Sequence, residues 1–171
     1  RSVEQARTLL RSGADKVVIN TPLFGQPSLV NDLATEFGQQ CVVASMDVKA
    51  SPQNCYQLWA DNGTRCVEGS LCAWLESMSQ CPVGELYLNS MDRDGTGQGY
   101  DLRVLDYLPK SMPIPVIMAG GAGNYRHLAE GLSDQRVDAV ATANLFNFIG
   151  DGLKVTRARL FEHGSDLARW E

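Results

Sequence analysis

The chain has 171 residues, of which 44% are hydrophobic, 20% charged and 8% aromatic, the balance of one soluble, core-forming domain rather than of a disordered or fibrous chain. Fifteen basic against twenty acidic residues give a formal net charge of −5, so neither nucleic acid nor an anionic membrane has an electrostatic claim on it. No apolar run approaches the roughly 20 residues that cross a bilayer. Five cysteines without a C-x-x-C pair and two histidines exclude a disulfide framework and a His-rich metal site; no metal or cofactor is expected, and a reducing, cytoplasmic setting is.

The opening Arg1-Ser2-Val3-Glu4 is neither a signal peptide nor a natural start, and further sequence is expected upstream of it. Ser2 and Gln5 then form a capping box for a helix carrying Val3, Ala6, Leu9 and Leu10, closed by Gly13. A strand from Lys16 to Asn20 follows. After Pro27, Leu29, Val30, Leu33, Ala34 and Phe37 recur at helical spacing and stop at Gly38, and Cys41 to Met46 reads as a parallel strand buried on both faces. Between Asp47 and Gly69, the runs Cys55 to Trp59 and Arg65 to Val67 flank Asp61-Asn62-Gly63, an Asn-Gly hairpin signal. Alternation then resumes: helix near Ser70 to Ser79, strand Glu85 to Asn89, helix Asp101 to Leu108, strand Ile114 to Met118, helix Tyr125 to Leu132, strand Val137 to Ala141 and helix Leu153 to Phe161. The whole chain, residues 1–171, is thus one domain of five βα units preceded by a helix, short of the roughly 200 to 250 residues of an eight-stranded (β/α) barrel.

Parallel βα units gather their functional groups where strands end, because helix N-termini and free backbone amides converge there. The ends are Asn20-Thr21, Asp47-Val48-Lys49, Asn89 through Thr96, Ala119 through Gly123, and Thr142 through Asn147. Gly120-Gly121-Ala122-Gly123 between strand and helix can close bare amides on a phosphate, or can simply serve a tight turn. The adjacent strand end at Ala143-Asn144 makes a shared phosphate site more specific. Asn89-Ser90-Met91-Asp92-Arg93-Asp94-Gly95-Thr96 exposes two carboxylates and a hydroxyl, with an ordinary Asx turn as the alternative. Asp47, ending an apolar strand, is placed for proton transfer or, alternatively, for capping the next loop. Lys49 can hold a ligand anion or point to solvent. At the opposite pole, Asp15, Lys16 and Glu85 form a charged rim, and His127 and His163 fall on helix surfaces.

Gly13-Ala14-Asp15-Lys16-Val17-Val18-Ile19-Asn20, Ser90-Met91-Asp92-Arg93-Asp94-Gly95-Thr96 with Gly99-Tyr100-Asp101, Ala119 to Gly123, and Ala143 to Phe148 resemble the cyclase subunit of imidazole glycerol phosphate synthase, in order and spacing along nearly the whole chain. The sister isomerase of histidine biosynthesis shares the barrel and an Arg-Asp-Gly-Thr loop, but the Gly-Tyr-Asp continuation is more like the cyclase. That family takes ammonia from a glutaminase partner and converts phosphoribulosyl-formimino aminoimidazole carboxamide ribonucleotide into imidazole glycerol phosphate and aminoimidazole carboxamide ribonucleotide. The resemblance implies a partial TIM barrel made of the family's strands four to eight. It makes Asp47 a catalytic aspartate and assigns Asn20, Asp94, Gly95 and Thr96 to the substrate pocket. Gly120, Gly121, Ala143 and Asn144 would hold a substrate phosphate. Lys16 and Glu85 correspond to a charged ammonia gate, and Asp15 to the glutaminase-facing surface.

The family's other catalytic aspartate, on its first strand, has no counterpart in this sequence. Ala119 and Asn144 replace two usual serines, Ala50 stands where a basic residue is common, and Cys66-Val67-Glu68-Gly69 departs from a usual Thr-Gly ending. Two further readings are a phosphate-binding half-barrel without catalysis and a relative serving sugar amidation. Five parallel strands leave two unpaired edges and an inner face expected to expose apolar side chains, so a longer polypeptide or self-association is expected to cover them.

Overall fold

The computed structural model describes residues 2–52, 55–143 and 152–168. Helix α1 (Val3–Arg11) starts at Ser2, whose Oγ accepts the Gln5 amide, and carries Glu4 in its first turn and Arg11 in its last, each complementing the helix dipole. Strand β1 (Val17–Ile19) leads through a 3₁₀ turn into α2 (Pro27–Phe37), which opens on proline and stops at Gly38 with φ 84°. Strand β2 (Val42–Ala50) runs beyond the expected Met46 because its second half pairs with the excursion that follows. That excursion is the hairpin β3 (Tyr56–Ala60) and β4 (Arg65–Cys66). Its ends pair Ala60 with Arg65, so residues 61–64 form the turn. Asp61, Asn62 and Gly63 all take left-handed φ values of 53°, 58° and 75°, a longer connection than the two-residue Asn-Gly turn.

Then come α3 (Leu71–Met78), β5 (Glu85–Ser90), β6 (Val116–Ala119), α4 (Tyr125–Ser133), β7 (Ala139–Val140) and α5 (Gly152–Glu162). Where the sequence pattern predicts an α-helix from Asp101 to Leu108, Leu102–Tyr107 is a 3₁₀ helix without a side-chain cap. The Asp101 carboxylate at its N-cap is engaged instead by Tyr56 and Arg103, leaving the first turn without the acceptor that starts a regular helix.

The five strands β1, β2, β5, β6 and β7 are parallel neighbours in chain order, with β3 and β4 added antiparallel, giving a seven-stranded sheet. This is the partial (β/α) barrel wall that the βα repeat predicts. The edge of β2 is shared: Val42 to Ala44 pair with β1, and Asp47 to Ala50 pair with β3. Side chains alternate between the two faces. Ala44, Met46, Val48, Leu86, Leu88, Val116 and Met118 are all buried under the helices, against Leu33, Leu75, Val104 and Leu128.

The opposite, inner face carries Val18, Val43 and Glu85 in its first layer, Ser45, Tyr87 and Ile117 above them, and Trp59, Asp47, Asn89 and Ala119 at the strand ends. Of the apolar side chains on this face, Val18 is 61% exposed at the β1 edge and Ile117 is half-buried, while Val43 is buried; higher up, the face is polar and aromatic. Each side of the wall bears an apolar groove of about 440 Å³, one between α1 and β1 and the other between α4, α5 and β7. No helix among the described residues is long and apolar enough to cross a membrane.

Candidate active site

Parallel pairing sets Asp47 of β2 level with Asn89 of β5 and Asn89 level with Ala119 of β6, while the antiparallel hairpin sets Trp59 beside Asp47. One row of the inner face therefore reads Trp59, Asp47, Asn89, Ala119 at the C-terminal ends of the strands. Asp47 is half-buried, and its Oδ1 accepts a hydrogen bond from Asn89 Nδ2 at 3.0 Å. Lys49, one alternation further on the same face, is exposed with its Nζ 5.5 Å from the centroid of the Trp59 ring, a cation–π contact. Tyr87 lies one step below Asn89. Burial pushes its phenol up, and the neighbouring Asp94 and Asp47 carboxylates add to the shift. The Trp59 indole Nε1 is buried with no hydrogen-bond partner among the described residues.

Asn20 sits at the fork where β1 leaves β2 and β3 takes over. Its Nδ2 donates to the carbonyls of Ser45 at 3.1 Å and Trp59 at 3.4 Å. The side chain thus serves the backbone at that fork. Thr21 Oγ1 continues the link by accepting the Asp61 amide at 2.9 Å.

The segment after β5 folds onto itself. Asp92 Oδ2 accepts the Ala50 amide at 2.7 Å, tying the loop to the end of β2. Thr96 Oγ1 donates to the Arg93 carbonyl at 2.6 Å and accepts the Gln98 amide at 3.3 Å. Gly95 turns in open space, with φ 74° and no atom within 4 Å of where a β-carbon would stand. Both loop carboxylates are exposed, and Asp94 is the one that acts on Tyr87.

The glycine loop packs against this segment. Gly121, at φ 109°, accepts the Gly99 amide at 2.8 Å, and a side chain on Gly121 would collide with the Gly99 carbonyl. Gly123 abuts Gly97 in the same way. Asn124 Oδ1 caps α4 by accepting the amides of Arg126 and His127. His127, expected on a helix surface, turns back, and its Nδ1 accepts the Gly123 amide at 3.1 Å. The amides of Gly121 and Ala122 meet no acceptor among the described residues. Ala143 is exposed in the segment after β7, and Asn144 lies outside the described residues.

At the other end of the wall, Lys16, just before β1, forms an ion pair with Glu85, the first residue of β5; Asp15 beside it is exposed. Both charges of the pair lie at strand starts, away from Asp47.

Residues 1–150 match the histidine biosynthesis protein family. The chain belongs to that family. It is 42% identical over 171 residues to a protein named putative imidazole glycerol phosphate synthase subunit hisF2 from Parasynechococcus marenigrum, covering 99% of this chain and 63% of that protein. It is 36% identical over 168 residues to imidazole glycerol phosphate synthase subunit HisF from Alkaliphilus metalliredigens, covering 98% and 66% respectively. The chain therefore spans somewhat less than two thirds of the length of these curated relatives.

Within this member of the histidine biosynthesis family, sequence reasoning missed Asn89, Tyr87 and Trp59 as companions of Asp47. Alternation along Glu85–Ser90 puts Tyr87 and Asn89 on one face, a signal present in the sequence; only the pairing register shows that this is the face of Asp47. The clasp of Tyr56, Asp101 and Arg103 was missed as well. Asp101 is 5% exposed and accepts from Tyr56 Oη at 2.6 Å and from Arg103 at 2.7 and 2.8 Å.

Proposed function

We propose that the chain provides the cyclase site of an imidazole glycerol phosphate synthase, with Asp47 as its proton-transfer group. The observation that carries this reading is the placement of Asp47. It stands half-buried at the C-terminal end of β2 on the inner face, with Oδ1 held by Asn89 and Oδ2 without a partner among the described residues. Addition of ammonia to a carbonyl carbon and closure of an imidazole ring shed and relocate protons, and a carboxylate with one free oxygen can carry them. Family membership supports the substrate class, a bis-phosphorylated aminoimidazole ribonucleotide.

The remaining roles follow from position. Gly120, Gly121, Ala143 and Asn144 are proposed to hold one substrate phosphate, with the unengaged amides of Gly121 and Ala122 as donors. Lys49 and Asp94 flank the substrate from β2 and from the loop after β5, while Gly95, Thr96 and Asn20 shape the pocket through the backbone they hold. The Lys16–Glu85 pair with Asp15 is proposed as the end facing a glutaminase subunit. The two apolar grooves are proposed to be covered by further sequence of the same polypeptide or by a second copy of the chain.

Ammonia-dependent turnover of phosphoribulosyl-formimino aminoimidazole carboxamide ribonucleotide tests the reading. Formation of aminoimidazole carboxamide ribonucleotide, lowered about 100-fold or more by Asp47→Asn, supports it. Substrate binding without turnover, unchanged by Asp47→Asn, would leave a phosphate-binding half-barrel in its place.

A further inference from the structure

A carboxylate has two oxygens, and whichever one is spent on a fixed hydrogen bond leaves the other for chemistry. Here the sheet ladder itself sets Asn89 between Asp47 on one side and the glycine loop on the other. Asn89 Nδ2 donates to Asp47 Oδ1 at 3.0 Å. An ionised carboxylate only accepts, so the amide nitrogen faces Asp47 and Asn89 Oδ1 faces away. On that far side, a methyl group on Gly120 would lie 2.8 Å from Asn89 Oδ1 and 2.5 Å from the Ser90 carbonyl oxygen. Only a residue without a side chain lets β6 leave the sheet there with Asn89 still on Asp47.

We infer that Asn89 is a positioning residue that fixes Asp47 with Oδ2 as its reacting oxygen, and that couples this orientation to the seating of the glycine loop. The inference rests on the proposed role of Asp47 in proton transfer. An amide suits the task because it carries no charge and does not titrate, so its hold is the same at every pH at which Asp47 is ionised. The two strands supply the rest of the geometry, since Asp47 and Asn89 occupy paired positions whose side chains leave the same face.

Two independent measurements on the chain test this. In turnover, Asn89→Leu lowers kcat by about 10- to 100-fold, the loss of one hydrogen bond to a charged group, with KM within about twofold. Asn89→Thr, which restores a donor and keeps a small polar side chain, recovers part of the rate. Placed in an Asp47→Asn background, Asn89→Leu adds no further loss, because Asn89 acts through Asp47. In the second measurement, the Asn89 side-chain amide signal of the 15N-labelled protein moves upfield when Asp47→Asn replaces the ionised acceptor with a neutral one. Unchanged kcat in Asn89→Leu, losses that multiply in the double variant, or an Asn89 amide signal indifferent to Asp47→Asn would each overturn the inference. Absence of turnover in the unaltered chain overturns the cyclase reading instead, and the amide signal then decides the orientation of Asp47 alone.

Discussion

Tyr56→Phe removes one oxygen from the clasp that ties β3 to the 3₁₀ helix, and its cost can be worked from the geometry. Tyr56 Oη donates to Asp101 Oδ2 at 2.6 Å, and Arg103 holds the same carboxylate through two bonds. Arg103 is 69% exposed while Asp101 is 5% exposed, so solvent screens the arginine side and the tyrosine is the drier partner. Burial alone would raise the Asp101 carboxyl, but the Arg103 fork and the Tyr56 hydroxyl outweigh it and hold it below its ordinary 3.8. Burial and the bond to Asp101 push the Tyr56 phenol up to about 12. The ring survives the substitution and keeps its edge-to-face contact with Tyr107, at 5.4 Å between centroids. What is lost is one hydrogen bond to a charge, about 1.5 kcal/mol at pH 7, or a fall in Tm of roughly 3 to 6 °C for a chain of this size. Because the carboxyl is lowered in the folded state, the stabilisation is present above the unfolded value of 3.8 and fades as pH falls through the folded value. Urea unfolding of both proteins across the acid range checks it. Equal stability at pH 7, or a difference that persists undiminished once Asp101 is protonated, would refute the reasoning.

Gly121→Ala should destabilise by more than about 2 kcal/mol, since φ 109° and a collision with the Gly99 carbonyl act together; Gly95→Ala, with φ 74° but open space around it, should cost only about 1 kcal/mol. Thermal unfolding compares the two, and similar losses would contradict the packing described for the glycine loop. Lys16→Met breaks a partly solvent-exposed ion pair with Glu85 and should alter stability by less than about 1 kcal/mol. If the pair faces a glutaminase, the same variant lowers glutamine-dependent turnover while ammonia-dependent turnover holds. Light scattering at micromolar concentration should show the chain associating through its open edges, and Val18→Asp, at the β1 groove, should weaken that association; a well-behaved monomer counts against self-coverage.

Much of the wall was legible because its signals are local. Ser2 with Gln5, Pro27, Gly38 and the apolar run of β2 each act within a few residues, through capping, backbone freedom or alternation. Asp47 stood out because a carboxylate ends that run. Its neighbours did not, because the pairing of Asp47 with Asn89 and with Trp59 joins separate strands, and register is a tertiary quantity. The same holds for Asp101, which reads as a helix start until Tyr56 on β3 and Arg103 claim its carboxylate. His127 reads as a surface residue by helical spacing, yet one turn of α4 brings its Nδ1 back onto Gly123. Thr96 and Asn20 carry the residue types of a binding site, but Thr96 bonds to the neighbouring Arg93 carbonyl, as short polar side chains do, and Asn20 to the carbonyls of Ser45 and Trp59 on two other strands, a partnership that only the tertiary fold sets.

The most direct test of the cyclase assignment is the rate of ammonia-dependent formation of aminoimidazole carboxamide ribonucleotide, compared between the chain and its Asp47→Asn variant under conditions in which both bind substrate. Loss of one oxygen's basicity at an otherwise isosteric position should cost about 100-fold or more in kcat, with substrate affinity retained through the glycine loop. Turnover that survives Asp47→Asn would contradict the assignment.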